Sequence, residues 1–289
     1  MGQERIIHAA LLGAGTVGSG VYKLVKDLEE EIISKTGARL VVDKILVRDT
    51  TKAREGIPPE LLIDRWDEIL NDPQIEIVIE VMGGIRPALT WLEEALRAGK
   101  QVVTANKDLL AEYGEQLFDA AEAGKCDLHF EAAVAGAIPI IRPLRQSLVA
   151  SELTEVMGIV NGTTNYILTR MTEDGMGYEE ALALATKLGY AESDPTADVE
   201  GYDAGRKVAI MASIAFNSNV TFSQVYTEGI THITAEDIRY AKEFGYVIKL
   251  IGMTRLTEGG VEVKVHPMLL PEQHLSLIHI SEPTRRSYI

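Results

Sequence analysis

Residues 6–18 read IIHAALLGAGTVG, and this stretch determines the predicted fold of the first half of the chain. An apolar run at 6–12 leads directly into a G-x-G-x-x-G hexapeptide that opens a helical pattern. Gly13 permits a tight turn, Gly15 lets the backbone approach a pyrophosphate, and Gly18 allows close helix-to-strand packing. Free N–H groups at the start of the helix favour an anion. The residues predicted to bind a dinucleotide here are Gly13, Ala14, Gly15, Thr16, Val17 and Gly18.

Strand-like and helix-like patterns alternate outward from this hexapeptide as far as residue 135. The predicted strands are 6–12, 40–47, 75–81, 101–104 and 128–134, and the predicted helices are 17–28, 87–98 and 111–123. This alternation is typical of a parallel sheet with helices on both faces. The predicted fold class is therefore α/β, with a Rossmann-type parallel sheet in a domain over residues 1–135.

The alternation stops near Gly136–Pro139, and residues 136–274 are predicted to form a mixed α+β catalytic and dimerisation domain. Its predicted helices are 139–149, 166–171, 178–188, 201–216 and 235–244, and its predicted strands are 152–160, 247–254 and 260–265. The last two strands flank Glu258-Gly259-Gly260, which indicates an antiparallel hairpin. Residues 275–289, LSLIHISEPTRRSYI, are basic and unpatterned; we interpret them as a non-native tail of adapter or vector origin, which implies that the second domain is incomplete.

Composition excludes several classes of function. The formal net charge of −15 repels nucleic acids and anionic membranes. We find no apolar run of membrane-spanning length and no secretory signal pattern at the N-terminus, so a cytoplasmic protein is expected. The single cysteine, Cys126, rules out an intramolecular disulfide and a cysteine-based metal cluster.

The second predicted strand bears on the choice of cofactor. NAD-selective sites usually end this strand with an acidic residue for the ribose hydroxyl, whereas here Arg48 comes first and Asp49 follows. Arg48 suits a 2′-phosphate, which favours NADP and leaves NAD possible. Gly83 and Lys107 follow the third and fourth predicted strands, where ligands of open α/β sheets bind.

The segment 191–207, AESDPTADVEGYDAGRK, concentrates acidic residues in a turn followed by a predicted helix. Asp203 and Lys207 are four residues apart, so they share a helix face. A carboxylate and a lysine at one pocket could hold an ammonium group and exchange a proton. An ordinary solvated salt bridge is the alternative interpretation.

Taken together, these motifs resemble the homoserine dehydrogenase family from about Ile6 to Pro271. The residues that carry the resemblance are GAGTVG at 13–18, VMGG at 81–84, TANK at 104–107, EAAVAGAIP at 131–139, GIVNGTTNYIL at 158–168 and LGYAESDPTADVEGYDAGRK at 188–207. The last two segments are the most specific. The family chains continue beyond Pro271, so the resemblance also implies that part of the catalytic domain is missing.

The resemblance implies NAD(P)-dependent interconversion of L-homoserine and L-aspartate 4-semialdehyde, in threonine, methionine and isoleucine biosynthesis. It places the acid/base lysine on Lys207 and a second active-site lysine on Lys107. The implied substrate-binding residues are Glu192, Asp203, Asp198 and Gly189.

The resemblance further implies a monovalent cation, usually sodium, bound largely through backbone oxygens. The corresponding positions are Glu131, Val134, Gly136 and Ile138. Oxygen ligands suit a hard cation, although the same bend could simply mark a domain junction. The family's second domain also implies a homodimer.

Two other functions compete with this interpretation, and other two-domain dehydrogenases form a further set of rivals. Aspartate-semialdehyde dehydrogenase handles the same metabolite but needs a cysteine nucleophile, and Cys126 precedes a predicted strand instead of following one. A non-catalytic nucleotide sensor would use the dinucleotide domain without any requirement for Lys207.

Overall fold

The computed structural model describes residues 5–274 and Leu277. The chain divides into two compact units between Ala133 and Val134. Apart from Leu277, the segment interpreted as a non-native tail lies outside the described residues. Across the described ranges, no helix has the length and apolar character needed to cross a membrane.

The first unit is a parallel sheet with helical connections. Its elements in chain order are β1 (Arg5–Leu12), α1 (Thr16–Asp27), α2 (Glu29–Thr36), β2 (Ala38–Leu46), β3 (Leu62–Ile63), α3 (Asp67–Leu70), β4 (Ile75–Glu80), α4 (Ala88–Arg97), β5 (Gln101–Thr104), α5 (Lys107–Gly124) and β6 (Leu128–His129). The strand order β3-β2-β1-β4-β5-β6 is that of a dinucleotide-binding fold. All five pairings are parallel, so the predicted α/β class is confirmed.

Burial explains why β1 lies at the centre of this sheet. Ala9, Ala10, Leu11 and Leu12 are fully buried between β2 and β4. Each fully buried leucine stabilises the fold by roughly 1.5–3 kcal/mol. Because β1 is a central strand that ends at Leu12, the turn after it lies at the carboxyl edge of the sheet.

The predicted strand at 128–134 is wrong beyond its first two residues. β6 pairs with β5 only at Leu128 and His129, because β5 itself ends at Thr104. A 3-10 turn follows at Glu131–Ala133. The apolar pattern that suggested a strand reflects packing instead, since Phe130 and Val134 are nearly fully buried.

The second unit combines helices with a mixed sheet. Its elements are β7 (Glu155–Gly158), α6 (Gly162–Asp174), α7 (Tyr178–Lys187), α8 (Thr196–Val199), α9 (Tyr202–Ala215), β8 (Tyr226–Thr227), α10 (Ala235–Glu243), β9 (Tyr246–Thr257) and β10 (Gly260–Pro271). The sheet order is β7-β9-β10-β8, with two antiparallel pairings and one parallel pairing. This arrangement confirms the predicted mixed α+β domain.

Two predicted elements of the second unit differ from the structure. The helix predicted at 139–149 is shortened to residues 141–147, and its Pro143–Ser147 part is a π-helical turn in which the Leu148 N–H donates to the Pro143 carbonyl. Proline lacks an N–H donor, which a helix needs only beyond its first turn, and here Pro139 precedes the helical segment while Pro143 lies in its first turn. The hairpin is longer than predicted, because β9 and β10 pair without interruption from Tyr246 to Pro271.

Small residues bring α9 close to its neighbours. A Cβ on Gly252 of β9 would lie 2.4 Å from Val208 Cγ2, and a Cβ on Gly205 would lie 2.6 Å from Phe222 Cε2. Such distances leave no room for any other residue. This close packing fixes the position of α9, which carries Asp203 and Lys207.

Candidate active site

The glycine turn after β1 has the geometry that its sequence predicts. Gly13 has a φ of +102°, and a Cβ there would lie 3.0 Å from Met82 Cα. A Cβ on Gly18 would lie 2.1 Å from the Gly13 carbonyl oxygen, so the helix can approach only at glycine. Gly15 faces open space and precedes the first residue of α1. The open face at this helix N-terminus fits the pyrophosphate of a dinucleotide.

Arg48 and Asp49 follow β2 and are both exposed. The Asp49 carboxylate accepts hydrogen bonds from the Thr51 N–H (2.9 Å) and the Thr51 hydroxyl (2.6 Å). These bonds lower the pKa of Asp49. The carboxylate is therefore engaged in its own loop.

Glu80 forms a buried polar network that sequence reasoning missed. Its side chain is fully buried at the end of β4. Oε1 accepts from the N–H groups of Met82 (2.9 Å) and Gly83 (3.0 Å), and Oε2 accepts from the Thr104 hydroxyl (2.5 Å). A glutamate inside the apolar run IEIVIE was the signal that could have identified it.

The Glu80 network continues to the start of α5, where Lys107 is the first helical residue. The Asn106 N–H donates to the Thr104 hydroxyl (3.0 Å), and Asn106 Nδ2 donates to the Gly84 carbonyl (2.7 Å). Asn106 Oδ1 caps the helix by accepting from the Leu109 N–H. Residues that follow β4 and β5 are thus joined around the predicted sites Gly83 and Lys107.

In the second unit, Lys207 and Asp203 form the predicted pair on α9. Lys207 Nζ lies 2.6 Å from Asp203 Oδ2 and donates to the Val160 carbonyl at 2.8 Å. The two side chains are 18% and 12% exposed, so the solvated surface salt bridge of the alternative interpretation is not what the structure contains. The lysine has three N–H groups, and within the described residues these two acceptors leave one for another partner.

Asp198 joins this pair through a residue that received no predicted role. Asn161 Nδ2 donates to Asp198 Oδ1 at 2.7 Å and to Asp203 Oδ2 at 2.9 Å. Asn161 is 5% exposed and caps α6. Three predicted residues, Asp198, Asp203 and Lys207, are therefore brought together around one asparagine.

The loop that carries Gly189 and Glu192 is attached to α6. Thr163 Oγ1 donates to the Tyr190 carbonyl at 2.7 Å, and the Tyr190 ring stacks on Tyr166 with centroids 4.5 Å apart. Gly189 has a φ of +78°, which favours glycine. Glu192 is exposed and makes no hydrogen bond to the Asn161 network within the described residues.

The bend predicted to bind a cation has an irregular backbone. Ala135 and Ala137 have φ values of +49° and +67°, whereas Gly136, where the sequence suggested the bend, is not in the left-handed region. The Val134 side chain is fully buried, and Ile138 is 58% exposed. Glu131 belongs to the first unit and the other three positions to the second. No cluster of three or more His, Cys, Asp or Glu side chains suited to a metal occurs within the described ranges.

Cys126 lies between α5 and β6, and its Sγ donates to the Leu96 carbonyl at 3.2 Å. Burial raises the pKa of this thiol. Since the thiolate is the reactive form, both observations argue against a cysteine nucleophile.

Two family models match most of the chain. Residues 13–131 match the family model for the NAD binding domain of homoserine dehydrogenase. Residues 139–284 match the model for homoserine dehydrogenase itself, and this match extends into the segment interpreted as a tail.

Individual relatives are similar over nearly the whole chain. Homoserine dehydrogenase from Bacillus subtilis is 47% identical over 277 residues, which cover 95% of this chain and 64% of that protein. The crystal structure of the enzyme from Thiobacillus denitrificans has a TM-score of 0.89 at 45% identity, covering 95% of this chain and 64% of that one. A structure of the S. aureus enzyme at pH 6.0 has a TM-score of 0.84 at 42% identity and is covered over 69% of its length.

The chain thus spans about 64% of the length of its Bacillus subtilis relative, while both of its units match the family in sequence. The glycine turn and the Asn161 network lie inside the matched residues. On these grounds the chain belongs to the homoserine dehydrogenase family.

Proposed function

We propose that this chain interconverts L-homoserine and L-aspartate 4-semialdehyde with NADP as the preferred cofactor. The observation that carries the proposal is the placement of the Lys207 ammonium between Asp203 Oδ2 and the Val160 carbonyl, with one N–H left for a ligand. An ammonium group in that position can protonate an alkoxide, and the neutral amine can take the proton back in the reverse direction.

The acidic residues beside Lys207 suit an amino-acid substrate. Homoserine and the semialdehyde both carry an ammonium group, which pairs with carboxylates. We assign this role to Asp203 and Asp198, which already lie together, and to Glu192 in the adjoining loop with Gly189. Lys107 at the start of α5 is assigned as the second active-site lysine.

NADP preference is supported by the residues after β2. The Asp49 carboxylate, which would bind the ribose hydroxyl of NAD, is bonded to Thr51, whereas Arg48 is exposed. The nicotinamide, when bound, exchanges a hydride with the substrate carbon. The residues that would hold the dinucleotide are Gly13, Ala14, Gly15, Thr16, Val17, Gly18, Arg48, Gly83 and Lys107.

A bound monovalent cation is part of the proposal. Support comes from the irregular backbone at 134–138, where two alanines hold left-handed conformations that cost about 1 kcal/mol each unless something stabilises them. Backbone carbonyls there, with Glu131, are suitable ligands for sodium. We expect sodium chloride to raise the melting temperature more than tetramethylammonium chloride does at equal ionic strength. Identical melting curves in the two salts would contradict the cation site.

We also propose that the chain forms a homodimer through its second sheet. Three large apolar side chains on the strands of that sheet, Tyr226, Leu256 and Leu269, are 53–59% exposed. Sedimentation equilibrium measures the mass directly, and a monomer at micromolar concentration would refute this part of the proposal.

The activity test follows NADPH oxidation at 340 nm with aspartate 4-semialdehyde as substrate. Lys207→Ala is expected to lower kcat by about 10²–10⁴-fold relative to the parent chain, the usual contribution of a general acid. Lys187→Ala, an exposed lysine at the end of α7, is the matched control. A Lys207→Ala variant with parental kcat would refute the acid/base assignment.

The nucleotide-sensor alternative makes the opposite prediction. A sensor would bind NADPH without oxidising it, and binding would not depend on Lys207. Calorimetric titration with NADPH, run beside the assay, therefore separates a binding protein from an enzyme.

A further inference from the structure

We infer that Asn161 is a positioning residue, which sets the spacing of the Asp198 and Asp203 carboxylates that receive the substrate ammonium. The inference rests on the proposed function and adds to it a residue that contacts neither substrate nor cofactor.

The orientation of the Asn161 amide is determined by its neighbours. The Thr164 backbone N–H can only donate, and it lies 2.8 Å from Asn161 Oδ1. The Thr164 hydroxyl donates to the same oxygen at 2.9 Å. The Nδ2 group must therefore face the opposite way, towards Asp198 and Asp203.

The two hydrogens of Nδ2 are given to two different carboxylates. Asp198 Oδ1 accepts one at 2.7 Å and Asp203 Oδ2 accepts the other at 2.9 Å. Two carboxylates that share a buried site repel each other. An amide donor between them offsets that repulsion and sets their separation at the same time.

The same short segment also holds the lysine. The Val160 carbonyl accepts from Lys207 Nζ, and Lys207 shares Asp203 Oδ2 with Asn161. Residues 160 and 161 consequently contact the acid/base group and both carboxylates. A small displacement of this segment would shift all three relative to a bound substrate.

Asn161 cannot itself bind substrate, because its hydrogen-bonding positions are occupied. An asparagine side chain offers two donors and two acceptor lone pairs. Protein groups engage both donors and approach Oδ1 twice. Its effect on the reaction is therefore exerted through Asp198, Asp203 and Lys207.

Two substitutions keep the helix cap while changing the contact with the carboxylates. Serine and aspartate both cap helices well, so Asn161→Ser and Asn161→Asp preserve the bond to the Thr164 N–H. Serine cannot donate to two carboxylates, and aspartate replaces the donor with a third negative charge. Thr234→Ala, which removes the cap of α10 elsewhere in the same unit, is the control for cap loss.

For Asn161→Ser in the NADPH assay, we expect kcat/KM for the semialdehyde to fall by about tenfold to a hundredfold. The upper figure is the loss of rate that a roughly 1 Å misplacement of reacting groups can cause. The KM for NADPH should stay at the parental value. For Asn161→Asp, the ratio of its kcat/KM to that of the parent should rise as pH falls, because a protonated aspartate can donate again. Thr234→Ala should keep parental kinetics.

Near-UV circular dichroism confirms that each variant is folded, and Asn161→Asp serves as the test if the serine variant unfolds. Parental kcat/KM in folded Asn161→Ser, or a pH-independent ratio in Asn161→Asp, overturns the inference and leaves the proposed function standing. An inactive parent chain overturns the proposed function, and the inference with it.

Discussion

The two candidate lysines lie beside buried networks of opposite polarity. In the first unit, the buried Glu80 carboxylate accepts hydrogen bonds from backbone and hydroxyl donors, and the chain of contacts leads to Lys107 at the start of α5. In the second unit, the buried Asn161 amide donates to two carboxylates, one of which holds Lys207.

The difference shows what each network controls. Glu80 bonds mainly to main-chain groups, so it determines the shape of the segments that follow β4 and β5. Asn161 bonds to charged side chains, so it determines where charge lies. Disrupting the first network should chiefly affect stability and cofactor affinity, and disrupting the second should chiefly affect the chemical step.

The largest expected effect comes from removing the charge of Asp203. Asp203→Asn is nearly isosteric but takes the counter-charge from Lys207 and from the ammonium group of the proposed substrate. We expect kcat/KM for the semialdehyde to fall by about 10³-fold, within the range of catalytic carboxylates and bases. Asp174→Asn, whose carboxylate pairs with Arg170 away from this site, is the control. A loss of less than threefold would mean that the second network does not govern chemistry.

Glu80→Ala should destabilise the first unit. The substitution leaves the Met82 and Gly83 N–H groups and the Thr104 hydroxyl without their acceptor, at a cost of about 3 kcal/mol in the free energy of unfolding. Urea denaturation measures this loss, and the KM for NADPH should rise in parallel. Glu80→Gln, which retains one acceptor oxygen, should lose less. If Glu80→Ala were as stable as Glu60→Ala, an exposed control, the network would not shape the loops.

A buried lysine elsewhere in the second unit tests whether the carboxylate partner matters. Lys249 on β9 is 4% exposed, and its Nζ donates to neutral acceptors, Asn165 Oδ1 (2.8 Å) and Thr169 Oγ1 (2.7 Å). Burial lowers its pKa to about 8, against an ordinary value near 10.5. The pKa of Lys249 is lower in the folded state than in the unfolded state, so its contribution to the free energy of unfolding is lowest below about pH 8. That contribution rises as the pH increases from about 8 towards 10.5.

Lys249→Met is therefore expected to stabilise the protein at pH 7 by about 2 kcal/mol, allowing for the two lost hydrogen bonds. The gain should shrink as the pH approaches 10. Thermal unfolding of parent and variant across pH 7–10 measures the difference. Lys242→Met, at an exposed position on α10, should show no such trend. A difference that does not vary with pH would contradict the lowered pKa.

The smallest effect is expected at Arg48, which lies outside both networks. Arg48→Ala should raise the KM for NADPH by about fivefold and leave that for NADH nearly unchanged, because one exposed charge pair contributes about 1 kcal/mol. Steady-state kinetics with both cofactors measure the ratio. Equal changes for NADPH and NADH would indicate that Arg48 does not contact a 2′-phosphate.

Local patterns predicted the elements that carry strong periodicity. The glycine turn, the central strands and α9 lie where the sequence placed them, and Asp203 and Lys207 share a helix face as their spacing requires. The strand predicted at 128–134 extends over only its first two residues, and the helix predicted at 139–149 is shorter and partly π-helical. In the first segment, apolar residues that are buried by tertiary packing resembled a longer strand.

The sequence by itself determined the α/β and α+β character of the two units, the dinucleotide turn and the family resemblance. These depend on residues that are close along the chain, through turns, helix faces and strand periodicity. Only the tertiary structure revealed the contacts of Glu80 and Asn161. Asn161 reaches carboxylates 37 and 42 residues away, and Glu80 reaches a hydroxyl 24 residues away. No local pattern encodes such contacts, because folding of the intervening chain alone decides which donor meets which acceptor.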